Sequence, residues 1–213
     1  MSAEFVWRME GVLDLYAEPF DETRPQVCFD ERPCQLISDK HEPLAGEPGK
    51  PKRIDYEYKR EGTCNIFVIF QPLAGWRKVK VTEQRTKQDF AQSMKELVDE
   101  HFPQAQLIRV VLDNLNTHSP ASLYEAFEPQ EARRISRKLE FHYTPKHGSW
   151  LNMAEVEIAV LSSQCLNRRI GNTETLEREI NAWEQARNQQ GATVEWQFST
   201  ADARVKLKRL YPS

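Results

Sequence analysis

Three acidic residues stand where a chain can bring carboxylates together. Asp30 follows the short apolar run Gln26 to Phe29, Asp113 follows Leu107 to Leu112, and Glu155 lies inside a stretch with helical spacing. In an open sheet with crossovers, functional groups gather at the ends of neighbouring central strands, so Asp30 and Asp113 meet if their strands are adjacent. Glu155 would then approach from a packed helix. Three carboxylates in a partly desolvated cleft repel one another, and divalent cations are the ordinary relief. Oxygen-only ligands favour magnesium, with manganese as a substitute. Two such ions about 4 Å apart can activate a water or a 3'-hydroxyl and stabilise the leaving oxygen of an in-line phosphoryl displacement, with no nucleophilic side chain. Taken singly, an acid at a strand end or on a helix face is more often a solvated surface group.

Two of these acids have acidic neighbours. Glu157 lies about 200° from Glu155 on a helix of ~3.6 residues per turn, so only one of them can face a site. Strand alternation sends Glu31 to the face opposite Asp30.

The elements that must position these groups follow from apolar period. Gln26 to Phe29 reads as a first strand, Ile54 to Tyr58 as an edge strand, and Asn65 to Phe70 (NIFVIF) as the most strand-like run. The turn Pro72 to Gly75 then leads into the alternating Arg77 to Thr82. Between the first strand and Ile54, Ser38 to Arg53 is a Pro- and Gly-rich exposed loop. Lys87 to His101 places Phe90, Met94, Leu97 and Val98 on one helix face. Leu107 to Leu112 is a central strand, Ser119-Pro120 opens a helical region reaching Lys138, and Leu139 to Tyr143 is a further strand. A helix from Leu151 and a last one from Thr173 (its N-cap) to Asn188 complete the order. The expected fold class is α/β, with a mixed central sheet of about five strands, the first three antiparallel, flanked by helices.

Composition sets bounds. The chain has 213 residues, 39% hydrophobic and 29% charged, which suits one folded domain. Residues 1–24 read as an N-terminal extension, 25–190 as the domain and 191–213 as a basic C-terminal tail. No apolar run approaches the ~20 residues needed to span a bilayer and no signal peptide is recognisable, so a cytoplasmic, non-membrane protein is expected. Cys28, Cys34, Cys64 and Cys165 form no C-x-x-C pair and read as small buried hydrophobes. The net charge of -3 argues mildly against a nucleic-acid binder, although charge location matters more than the sum.

Three stretches carry a resemblance. VCFDE ends in Asp30-Glu31, VVLDNLNTH carries Asp113, Asn114 and His118, and HYTPKHGSWLNMAEVE carries Trp150, Leu151, Asn152 and Glu155. In content and order they resemble DDE transposases of the mariner-like superfamily. The spacing between Asp113 and Glu155, wider than in the mariner branch proper, favours the bacterial insertion-sequence branch. The resemblance runs from Pro25 through the final helix. It implies an RNase H-like fold and a catalytic and metal-binding set of Asp30, Asp113 and Glu155 with two divalent cations, Mg or Mn. It also implies DNA cleavage at transposon ends with strand transfer into target DNA, by a dimer in the bacterial cytosol or nucleoid. Relatives often show Leu-Asn-Pro before the final acid, whereas here Met153 and Ala154 stand between Asn152 and Glu155. Nothing before Asp30 is long or periodic enough for the helix-turn-helix modules of full-length relatives. A separate upstream polypeptide supplying them, or a truncated remnant, is therefore expected.

Among the remaining residues, Asn114, His118 and Asn152 are candidates to support the site, by steadying metal-bound water or phosphate, or equally to serve as turn and cap residues. Lys146 and His147 precede the Glu155 helix and could contact DNA phosphates, and Arg168, Arg169, Lys206, Lys208 and Arg209 could extend a basic track. For scattered basic residues an ordinary solvated face is the competing expectation. Trp150 reads as a loop or core anchor before a base-stacking platform. Trp196 and Phe198 would pack on the domain or against a second subunit. Two alternatives to a transposase stay open: an RNase H-like nuclease without strand transfer, and a catalytically silent DNA-binding remnant.

Overall fold

The computed structural model describes residues 3–41 and 56–212. Most of the Ser38 to Arg53 loop and the start of the Ile54 strand lie outside the described residues. In chain order the elements are α1 (Ala3–Tyr16), β1 (Gln26–Asp39), β2 (Tyr58–Gln71), β3 (Trp76–Thr82), α2 (Lys87–Glu96), β4 (Ile108–Leu112), α3 (Pro120–Ala126), α4 (Pro129–Ser136), β5 (Leu139–Tyr143), α5 (Met153–Gln164), α6 (Thr173–Gln189) and α7 (Thr200–Lys206). A wide turn, Leu97–His101, continues α2 before Pro103.

The five strands form one sheet in the order β3-β2-β1-β4-β5. The first three are antiparallel, while β4 runs parallel to both β1 and β5. Cys28 lies opposite Val111, so β1 and β4 reach their candidate acids side by side. Both strands of the β1–β2 hairpin run well past their apolar runs, with a register shift at Leu36/Ile37. The added residues are mostly polar and exposed, so no hydrophobic alternation marks them.

Helices cover both faces. On one, Phe90, Met94 and Leu97 of α2 and its extension, Leu123 of α3 and Ile135 of α4 pack on Val27, Phe29, Phe67 and Val110. The single helical region expected from Ser119 to Lys138 is two helices, broken at Glu128-Pro129, because proline disfavours helical backbone in the residue before it. On the other face, Leu161 of α5 and Leu176 and Ile180 of α6 pack on Leu36, Ile66 and Val68. The N-cap of α6 is Asn172 rather than Thr173, its side chain accepting the Thr175 backbone N–H.

The segments expected to flank the domain pack onto it. Phe5, Met9, Val12 and Leu13 of α1 join Cys28, Phe70 and Val111 of the sheet in one buried cluster, together with Ala203 of α7 and the half-buried Trp196 and Phe198. Arg204 of α7 pairs with Glu10 of α1, and Tyr211 donates to the same carboxylate. Cys28, Cys64 and Cys165 are buried, and all four cysteines are free. Among the described residues no helix is long and apolar enough to cross a membrane.

Candidate active site

The three acids come from three kinds of backbone, and the charges of Asp113 and Glu155 both reach Asp30. Asp30 is held within β1, Asp113 is the first residue after β4, and Glu155 sits in the first turn of α5. Parallel pairing of β1 and β4 places Asp30 and Asp113 on adjacent strands, as the positions of the acids after their apolar runs suggest.

Asn152 joins two of these elements. Its Oδ1 caps α5 by accepting the Ala154 N–H at 3.1 Å, while its Nδ2 donates to the Phe29 carbonyl at 2.8 Å and reaches Asp30 Oδ2 at 3.3 Å. The cap and the site contact, alternatives in the sequence, are both made. The turn before it is held by α1, since the Tyr16 hydroxyl donates to the Leu151 carbonyl at 2.7 Å. Tyr16 carries no motif, and only the amphipathic run of α1 could have pointed to it. In the preceding loop His147 has a left-handed backbone, φ 64°, and a Cβ on Gly148 would stand 2.6 Å from Pro145 Cγ, so only glycine fits there.

His118 is buried beneath Asp113. Its Nδ1 lies 2.5 Å from Asp113 Oδ1 and its Nε2 lies 3.1 Å from Glu31 Oε2. Burial alone would lower the imidazole, but its close contacts with the Asp113 and Glu31 carboxylates and their charges outweigh it and raise it to about 9. Asp30 shows the opposite imbalance. Burial first, then the charges of Glu31, Asp113 and Glu155, push its carboxyl up to about 7 against the pull of the Glu31 backbone N–H.

This is an all-oxygen donor set with more negative charge than its surroundings neutralise, which fits hard divalent cations. Among the described residues no three His, Cys, Asp or Glu side chains stand close enough together to hold a metal ion as they are placed. Glu155 is exposed and Asp113 partly so, leaving both carboxylates accessible. Glu157 takes no part: it is buried on the opposite side of α5, 2.8 Å from Arg77 Nε and 3.2 Å from Arg187 Nη2.

The expected DNA-contacting residues divide into two groups. Lys146 and His147 line one cleft with Asp113, and Asn114 is exposed beside them. Arg8 of α1 lines the adjoining cleft with Asn114, Lys146 and His147, and Lys87 a further one with Arg8 and Asn114. Neither Arg8 nor Lys87 stands out in the sequence, because their proximity to Asp113 is purely tertiary. Arg8 pairs with Glu4 at 2.8 Å and Lys87 with Glu125 at 2.6 Å. Arg168 pairs with Glu179, and Arg169 with Asp39 at the far end of β1, on the order of 30 Å from Asp30 at ~3.3 Å per strand residue. Lys206 pairs with Asp202 on α7, Lys208 follows in a short terminal turn, and Trp150 stacks at 6.3 Å on Trp196.

The match to the DDE superfamily endonuclease family covers residues 25–177. The chain belongs to this family. The sheet and its helices also match solved transposases. The Mos1 transposase paired-end complex with left transposon end is 13% identical at a TM-score of 0.60, over 90% of this chain and 59% of that one. The Mos1 strand transfer complex is 12% identical at 0.56, over 90% and 58%. The mariner Mos1 paired-end complex with Mg is 13% identical at 0.56, over 87% and 56%. At such identities the likeness is one of fold, the RNase H-like fold. This DDE endonuclease chain thus spans less than two thirds of those proteins' length. No curated protein matches it significantly.

Proposed function

We propose that the chain is the catalytic domain, residues 25–190 with flanking segments 1–24 and 191–213, of a cut-and-paste DNA transposase. It would cleave transposon ends and join the freed 3'-hydroxyl to target DNA. The observation that carries this reading is the approach of Asp113, which follows β4, and Glu155, in the first turn of α5, to Asp30 on the adjacent parallel strand β1, near enough that their charges add to burial in raising its carboxyl.

In this reading Asp30, Asp113 and Glu155 hold two divalent cations, Mg or Mn. Bound there, the cations would supply activation of the attacking hydroxyl and stabilisation of the leaving oxygen. The side chains do the positioning: Asn152 locks the Glu155 helix to the Asp30 strand, and His118 orients Asp113. Asn114 lies at the mouth, where a phosphate would pass, with Lys146, His147, Arg8 and Lys87 able to steady the DNA backbone. Arg8 and Lys87, like the more distant Arg168, Arg169 and Lys206, would serve DNA by exchanging the ion pairs they now make, and Lys208 would extend the track from the terminal turn. Partners in this reading are DNA, a second copy of the chain and an upstream helix-turn-helix polypeptide, in the bacterial cytosol.

The test is strand transfer with a labelled transposon-end duplex and a plasmid target in Mg2+ or Mn2+. Joined product supports the transposase. Cleavage without joining identifies a nuclease of the same fold, and neither reaction, with no metal binding by calorimetry, identifies a silent DNA-binding remnant.

A further inference from the structure

Glu31 is a buried carboxylate that the triad does not use. Alternation along β1 turns it away from Asp30, toward the α2 and α3 face, where its side chain is 2% exposed. The groups around it are otherwise aromatic, with Phe29, Phe67 and Phe90 on the same face. Its polar partners among the described residues are the ring of His118, 3.1 Å from Oε2, and Arg85, which reaches Oε1 at 3.5 Å from the surface. The His118 contact is ionic rather than an aligned hydrogen bond, since Oε2 has no well-directed donor. A buried carboxylate held this way needs a reason, because an apolar residue would suit the face better.

The ring supplies it. His118 is wedged edge-on to Phe29, centroids 5.2 Å apart at 85°, and lies 5.1 Å from Phe90. Tyr143 donates to its carbonyl at 2.8 Å. With ring and backbone both fixed, Nδ1 is aimed at Asp113 Oδ1. Asp113 itself has left the regular sheet, so this contact sets the direction of its carboxylate. Histidine χ2 has a broad, roughly two-fold preference, and a partner on the second nitrogen selects one ring orientation.

We propose that Glu31 is a positioning residue for the metal site: acting through His118, it fixes the carboxylate of Asp113 from the opposite face of the sheet. The proposal rests on the reading of Asp113 as a metal ligand. Ligating carboxylates are themselves held by outer partners whose loss lowers metal affinity about 10–100-fold.

The experiment measures Mn2+ binding by calorimetry, and the 15N signals of the His118 ring without metal, in the unmodified chain, Glu31→Ala and Glu31→Gln. Glu31→Ala, folded by circular dichroism, is expected to bind Mn2+ about 10–100-fold more weakly, with a displaced Nδ1 signal. Glu31→Gln removes the charge of this ionic contact and is expected to weaken Mn2+ binding and displace the Nδ1 signal in the same direction. If the alanine variant does not fold, Glu31→Asp withdraws the carboxylate while keeping the charge, and the same weakening is expected. Unchanged Mn2+ affinity in a folded variant lacking the contact overturns the proposal. No Mn2+ binding by the unmodified chain contradicts the metal-site reading instead. The ring signal then decides alone, a displaced Nδ1 supporting the role of Glu31 and an unmoved one overturning it.

Discussion

Asn152 Nδ2 lies 3.3 Å from Asp30 Oδ2, and the same amide caps α5. A single side chain thereby fixes the distance between the strand that carries one candidate ligand and the helix that carries another. Serine could replace the cap, because a hydroxyl also accepts an N-terminal N–H, but it cannot reach back to β1.

Asn152→Ser is therefore expected to keep most of the stability, losing no more than about 1 kcal/mol by thermal unfolding, because the serine hydroxyl keeps the cap. Metal-dependent nicking should fall about 10–100-fold. Nicking at the unmodified rate would show that the Asn152 contact with Asp30 does not shape the site.

Glu155 and Glu157 make opposite predictions two positions apart. Glu155 is exposed in the first turn, so Glu155→Gln should abolish nicking and leave the melting temperature nearly unchanged. Glu157 is buried against Arg77 and Arg187, and Glu157→Ala leaves a buried guanidinium without its charge partner, at a cost of about 3–5 kcal/mol. Denaturant unfolding of both variants checks this, and a stability loss confined to Glu155→Gln would reverse the assignment.

Much of this was legible because the signals are local. The apolar runs before Asp30 and Asp113 mark buried strands, and Phe90, Met94 and Leu97 mark a helix face, all of which the structure bears out. The polar halves of the β1–β2 hairpin carry no such pattern. Nor can neighbouring residues reveal that Glu31 meets His118, that Glu157 finds Arg77, or that Tyr16 of α1 reaches Leu151, since each contact joins elements far apart in the chain. The amphipathic face of α1 was readable in principle. Without a preceding N-cap or any motif, residues 1–24 read only as an extension.

The raised Asp30 carboxyl makes metal binding depend on pH. A folded-state value pushed up to about 7 means that, without metal, the fold favours protonated Asp30, a contribution present below the ordinary carboxylate range and lost as pH rises through about 7. A cation requires the ionised form. Mn2+ affinity should therefore rise as pH rises through about 7, with protons released on binding near about pH 6. Calorimetry in buffers of different ionisation enthalpy reads this directly, and absence of proton release at the lower pH would contradict it.

The central claim is that Asp30, Asp113 and Glu155 form one metal-dependent nuclease site. Its most direct test is nicking of supercoiled plasmid by the purified chain in Mn2+ or Mg2+, beside Asp113→Ala and Glu155→Ala prepared identically. The account predicts nicking that needs the cation and vanishes in both folded variants. Nicking that persists in either variant, or a folded chain that neither nicks nor binds the cation, would contradict it.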